Sequence, residues 1–281
     1  DVDSAFIDGI VVENSIEIDG NGFTIDGSNQ ARIFNASNYV VFKNFNFINA
    51  NSDNGGAIIG STDMSFVVLN SNFTNNHATE SGGALYNGHA ANCLFTDNTA
   101  SNCGGAIYAG YAENCIFTYN VAKDGGATYN VYAILSTFIS NLAIDSCGAM
   151  HGNSAVNCRF VKNSAKTHSG ALGYGYAENC TFIGNHAEKS GAMGSAQACD
   201  SIFINNTAVD GGAMSDGDAI GCEFISNSAE EYGGALYGTS AKDCYFESNR
   251  AKFGGAISSN AFFITALYFV TSSISAFSLS L

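Results

Sequence analysis

The 281-residue chain is 46% hydrophobic, ample for a buried core, yet only 12% charged, and it holds 32 Gly, 32 Asn, ten Leu, no Pro and no Trp; so uneven a composition points to one local pattern used many times. Its 25 acidic and 10 basic residues give a net charge of −15, with no Lys/Arg cluster to neutralise a phosphate backbone, which argues against nucleic acid as a partner. No acidic loop of EF-hand spacing occurs, so a dedicated calcium site is not expected.

Residues 1–54 read as extended segments separated by turns, as in Ser15-Ile16-Glu17-Ile18-Asp19-Gly20 and Phe23-Thr24-Ile25-Asp26-Gly27. They fall outside the period that follows and are expected to form irregular N-terminal coils and a cap, because an open solenoid end exposes unpaired backbone and apolar core. Asp1 opens the chain without the Met, basic stretch and apolar run of a secretion signal, so such a signal is expected to have been removed or to lie outside this sequence.

Residues 55–257 are periodic. A Gly-Ala step, followed mostly by Ile, Leu or Met, places its Ala at 57, 84, 106, 127, 149, 171, 192, 213, 235 and 256, and after the first gap every spacing is 21 or 22. In phase with it, Phe-x-x-Asn-x-Ala begins at Phe73, Phe95, Phe117, Phe138, Phe160, Phe182, Phe203, Phe224 and Phe246. Ten Leu are too few for leucine-rich repeats, and the period is too short for ankyrin or tetratricopeptide units. Gly-Gly beside β-branched and aromatic residues suits short strands and tight turns.

If each period is one coil, like residues stack at the spacing of parallel strands, about 4.8 Å. Phe then forms a column through the core, and the Asn four residues into the motif forms another at a bend, bonding amide to amide and accepting a left-handed backbone. Gly-Gly supplies a second corner, through positive φ or close-packing room. Absence of Pro follows, since nearly every amide must donate to a neighbouring coil. Cys93, Cys115, Cys158, Cys180, Cys222 and Cys244 precede the Phe by two and share its inward face. Parallel Cβ atoms about 4.8 Å apart exceed the usual disulfide span of about 3.5–4.5 Å, so buried thiols are expected, with Cys103, Cys147 and Cys199 outside that column.

Residues 258–281 form an apolar C-terminal segment: a cap, a frayed tail or an anchor. Ala261 to Leu281 is uncharged and has 14 apolar members, long enough to test as a membrane span, but seven Ser/Thr and the lack of a following basic stop favour a capping or frayed end. Any membrane contact is expected through 261–281 alone.

Gly55-Gly56-Ala57-Ile58, Gly82-Gly83-Ala84-Leu85, Gly104-Gly105-Ala106-Ile107 and Gly254-Gly255-Ala256-Ile257, together with the nine Phe-x-x-Asn units, resemble the repeats of chlamydial polymorphic outer membrane proteins, and the sequence is similar to adhesin-like proteins of methanogenic archaea. The resemblance implies an all-β fold: a right-handed, single-stranded parallel β-helix (a pectin-lyase-like solenoid) of about ten coils of 21–22 residues. It further implies a secreted or cell-surface protein that adheres to a host or neighbouring-cell glycan or protein.

The alternative on the same fold is a polysaccharide lyase or glycoside hydrolase, since fold does not fix function. The sequence has no Asn-Thr-Asp, Asp-Asp or Gly-His-Gly, and the single Arg250-Ala251-Lys252 match sits at variable positions around the repeat Ala. Asp216 and Asp218 flank Gly217 and would make a carboxylate pair, but turn chemistry accounts for them. The five His show no metal-binding spacing, and no nucleotide loop or hydrolase elbow occurs. We therefore expect no catalysis, no cofactor and no metal. The candidate binding residues lie on the outer face: Tyr86, Tyr108 and Tyr129, two after the repeat Ala, and Tyr111, Tyr132 and Tyr176, five after it.

Overall fold

The computed structural model describes residues 7–62, 65–259, 264–270 and 277–279. It is an all-β parallel solenoid of about 11 turns, with no helix among the described residues. By compactness the chain divides into Asp1–Ile144 and Asp145–Leu281.

In the first unit, strands stack in register along Ile10, Phe34, Ile58, Leu85, Ile107 and Thr128. A second ladder runs along Ile25, Phe47, Phe73, Phe95, Phe117 and Phe138. The described residues before 55 thus join the same ladders although they lack the repeat motif. The second unit repeats the arrangement along Met150, Leu172, Met193, Met214, Leu236 and Ile257, and along Phe160, Phe182, Phe203, Phe224 and Phe246. Of the segment read as a cap or anchor, Ile264–Val270 and Phe277–Leu279 pair in parallel with Ser240–Glu247 and Ile257–Ser259; the remainder of 261–281 lies outside the described residues. No helix among the described residues is long and apolar enough to cross a membrane.

The Phe rings fill the core. Neighbours stack with centroids 4.7–4.9 Å apart from Phe47 to Phe138, and 4.7–5.1 Å apart from Phe160 to Phe246. Each buried ring contributes about 1.5–3 kcal/mol of burial, available only when a coil has neighbours.

Each regular coil turns on four left-handed residues spaced five apart, as at Gly104, Ala109, Asn114 and Tyr119, or Gly211, Asp216, Gly221 and Ser226. This periodic demand for positive φ explains the abundance of Gly and Asn. The Phe-x-x-Asn asparagine is not one of the four: the residue before it is, for example Tyr119 before Asn120. The motif Asn is instead buried, and its amide ladder takes the expected form. The Nδ2 of Asn98 donates to Asn120 Oδ1 at 3.0 Å and to the Phe73 carbonyl at 3.0 Å, while the Asn98 backbone N–H donates to the same Oδ1.

The two glycines of the corner do different jobs. The first has positive φ; the second is confined by the next coil, where a Cβ on Gly105 would lie 2.2 Å from the Gly126 carbonyl oxygen. Cys147, Ser169 and Ser190 replace the first glycine at φ 57–63, and nothing replaces the second. Replacement is matched on the following coil. Where the corner is glycine, Tyr86 and Tyr108 pass close above Gly55 and Gly82; where it is Cys147, Ser169 or Ser190, the corresponding residue is Gly173, Gly194 or Ser215. Only one of the two positions can carry a bulky side chain.

All nine cysteines are free, and seven are buried, including Cys147 at its corner. In the Cys column, Ser71 precedes and Ser136 and Ser201 separate three pairs of cysteines, and Ser and Cys bond alike: Ser136 Oγ and Cys115 Sγ each donate to the carbonyl two residues back, at 2.9 and 3.3 Å. The neighbouring thiol and burial together push Cys115 and Cys180 above the ordinary thiol range, leaving little thiolate to react. Native labelling with a maleimide is expected to modify the half-buried Cys103 and Cys199 first and the other seven only on unfolding, which quantitative mass spectrometry would check; rapid native labelling of the column would contradict its burial.

Candidate binding surface

After its first strand residues, each coil bends at the second left-handed position, and that bend carries the aromatic side chains. In the strand Leu85–Ala91, Leu85 points inward and is fully buried, so Tyr86 points outward before the bend at Asn87, and His89 emerges beyond it. The same alternation places Tyr108 and Tyr111 on Ile107–Glu113, and Tyr129 and Tyr132 on Thr128–Ile134. Thr128 takes the inward place usually held by Ile, Leu or Met, and its Oγ1 is buried without a hydrogen-bond partner.

The first unit therefore carries two aromatic ladders. Tyr86, Tyr108 and Tyr129 stack at 4.7 and 5.4 Å, with interplanar angles of 10° and 6°. His89, Tyr111 and Tyr132 stack at 5.6 and 5.4 Å. These tyrosines are half-buried, because each ring covers the face of the next. What they offer outward is ring edge and hydroxyl. Burial and the Glu113 carboxylate hold the Tyr111 hydroxyl above the usual phenol range, keeping it a donor.

Tyr176 belongs to the second unit and has no ring stacked on it among the described residues. Its register neighbours are Ser154 and Gln197, followed by Asp218. Cys199, burial and Glu178 raise the Tyr176 hydroxyl, which donates to Glu178 Oε2 at 3.2 Å.

Around Tyr176 the bend opens into a trough of about 690 Å³, lined by Asn153-Ser154, Tyr174-Gly175-Tyr176, Ser195-Ala196-Gln197 and Asp216-Gly217-Asp218 on four successive coils. Of its middle residues Gly175 and Gly217 are tightly confined, since a Cβ on either would come within 2.2 or 2.0 Å of a carbonyl oxygen on the preceding coil, while Ala196 between them carries one. The residues before and after them form its walls. Sequence reading assigned Asp216 and Asp218 to a turn, and Asp216 does hold a left-handed corner at φ 55, but both also line the trough. Tyr174 and Gln197 were missed. The legible signal was the recurrence of a small residue between two larger ones at coil spacing, Tyr-Gly-Tyr, Ser-Ala-Gln, Asp-Gly-Asp.

Elsewhere the titratable groups are dispersed. His77 and His186 each hydrogen bond a threonine on the next coil, at 2.8 and 3.0 Å. Lys252 of the Arg-x-Lys match pairs with Glu231 at 3.1 Å. Among the described residues no group of three or more His, Cys, Asp or Glu is placed to hold a metal ion.

Four stretches of the chain, 70–88, 92–110, 221–239 and 243–260, match the Chlamydia polymorphic membrane protein repeat. Each begins at the third left-handed corner or its equivalent and runs through the Phe, the buried Asn and the Gly-Gly corner, so the matched residues are those that build a coil. The coils with Cys147, Ser169 and Ser190 at the first glycine are not among those matched. No curated protein matches the chain. Among solved structures it is similar to ORF18 of Geobacillus virus E2, at 12% identity and a TM-score of 0.35, over 83% of this chain and 54% of that one, so the chain spans about half the length of that protein.

Proposed function

We propose that this protein is a secreted or cell-surface β-helix of adhesin type, binding a glycan or protein of a host or neighbouring cell through its lateral surface and performing no catalysis. The observation that carries the reading is the side-facing tyrosine ladder, Tyr86, Tyr108 and Tyr129 with Tyr111 and Tyr132 beside it, of which Tyr86 and Tyr108 lie in stretches similar to the polymorphic membrane protein repeat. Stacking fixes these rings before any partner arrives, and rigid tyrosines supply contact area at low entropic cost. Aromatic residues are also the commonest energetic anchors of protein interfaces.

The test is the triple substitution Tyr86→Ser, Tyr108→Ser and Tyr129→Ser, assayed for binding to intact cells beside a thermal melt. Because the rings are stacked and half-buried, and not merely solvated, the variant should lose about 0.5–1.5 kcal/mol for each of the two stacked pairs and remain folded. Binding should fall at least tenfold. Unchanged binding by a folded variant would remove the ladder from the contact surface, and shortened chains in any polysaccharide incubated with the unmodified protein would establish an enzyme instead.

A further inference from the structure

The two units present their tyrosines differently, and the difference has a chemical consequence. In the first unit the rings stack face to face from coil to coil, Tyr86 on Tyr108 on Tyr129 and His89 on Tyr111 on Tyr132. In the second, replacement of the corner glycine by Cys147, Ser169 and Ser190 is coupled to Gly173, Gly194 and Ser215 on the following coils, so the first ladder gives way to small residues. The second ladder is interrupted as well, with Tyr176 between Ser154 and Gln197. A ring with no second ring against it leaves a face for the apolar face of a sugar ring, which the inner rings of a stacked ladder do not.

We infer that the trough of the second unit is a binding site for an uncharged oligosaccharide lying along the coil axis, with Tyr176 as its platform and Gln197, Asp216 and Asp218 as hydrogen-bonding partners of its hydroxyls. Three properties carry this. The walls repeat every coil, about 4.8 Å, so a chain of similar rings meets a polar side chain at each step. Polar groups alternate with open aromatic surface in one concave strip of about 690 Å³, the composition of a site that recognises ligands with both apolar and hydroxyl faces. Two carboxylates and no basic residue line it, which rejects uronate or sulfated chains by like-charge repulsion. Tyr174, 55% exposed, adds a second ring to the strip, held against His151 at 5.0 Å.

This rests on the lateral-surface reading and locates one ligand class away from the tyrosine ladder. The experiment uses the whole protein and linear hexasaccharides of glucose, mannose and N-acetylglucosamine, with oligogalacturonate as the charged counterpart, in calorimetric titrations. At least one neutral hexasaccharide should bind, and oligogalacturonate should not. Tyr176→Ser should weaken binding at least tenfold, Tyr176→Phe should restore most of it by keeping the ring, and Asp218→Ala should weaken it several-fold with an unchanged melt. The Tyr86, Tyr108 and Tyr129 triple variant should bind the same sugar as the unmodified protein does. Binding that survives Tyr176→Ser but is lost in the triple variant would overturn the trough while leaving the ladder reading intact. Failure of all neutral hexasaccharides to bind, or preference for oligogalacturonate, would overturn the assignment of the trough outright.

Discussion

Gly105→Ala is expected to destabilise the first unit far more than Gly104→Ala, although the two residues are adjacent and both belong to the repeated Gly-Gly corner. The added methyl at 105 would meet the Gly126 carbonyl oxygen at 2.2 Å and the Val121 backbone at 2.7 Å. Neither contact can be relieved by a side-chain rotation, so the coils must separate and the Ala84–Ala106–Ala127 backbone ladder, with N···O distances of 2.8–2.9 Å, must lengthen. Overpacking of this kind costs about 3 kcal/mol or more when backbone has to move. At 104 an added methyl would meet the Ile107 carbonyl oxygen of its own coil at 2.3 Å, but that turn accommodates a Cβ at the equivalent Cys147, Ser169 and Ser190, so the cost there is mainly that of the left-handed backbone, φ 65, about 1–2 kcal/mol for a residue with a Cβ. The protein itself carries that strain at Cys147, Ser169 and Ser190. Urea titrations followed by far-ultraviolet circular dichroism should order the three proteins as wild type, Gly104→Ala, Gly105→Ala. Equal midpoints for the two variants would mean that the corner is governed by backbone conformation alone.

That contrast shows how much a sequence of this type discloses. The period, the parallel stacking, the Phe core and the inward Cys positions were all legible, because each is a one-residue choice repeated many times against a physical requirement. The division of labour within Gly-Gly was not, since both reasons for glycine predict the same letter. It emerges only where one of them lapses, at Cys147, Ser169 and Ser190. The left-handed residue before the motif Asn was hidden by its variety: Asp97, Tyr119, Ser140, Lys162 and Gly184 all occupy it, so the recurrent Asn next door drew the bend to itself. The outward tyrosines were legible from strand alternation around Leu85 and Ile107. Their mutual coverage was not, because alternation gives the side of a sheet and says nothing of ring faces. The trough around Tyr176 was hidden as well, its walls being spread over four coils that only register brings together.

Asn120→Leu is the second substitution expected to have a large effect, through lost hydrogen bonds and not through volume. Asn120 is fully buried, and its side chain closes four contacts: Nδ2 donates to the Phe95 carbonyl at 3.0 Å and to Asn141 Oδ1 at 3.0 Å, while Oδ1 accepts from the Asn98 backbone N–H and from Asn98 Nδ2, both at 3.0 Å. Leucine fills the space but leaves the Asn98 N–H and an Asn98 Nδ2 proton with no partner in a dry interior, and it takes one donor from the Phe95 carbonyl. Each orphaned group costs about 1–3 kcal/mol, so the variant should lose about 3–6 kcal/mol, several times what hydrophobic burial of the new side chain returns. Asn114→Ala is the control: Asn114 is exposed, makes one side-chain bond to Asn92 Oδ1 at 2.8 Å and holds a left-handed corner at φ 50, so it should cost only about 1–2 kcal/mol. Asn120→Asp adds a test of sign. Burial raises the folded-state carboxyl above its unfolded value of about 3.9, so its contribution to stability is present below that value and disappears as pH rises through the folded pKa. Relative to wild type, the Asp variant should therefore be less impaired at low pH than at neutral pH, whereas the Leu variant's deficit should not change with pH. A Leu variant as stable as Asn114→Ala would show that the ladder is decorative and that the Phe column alone holds the coils together.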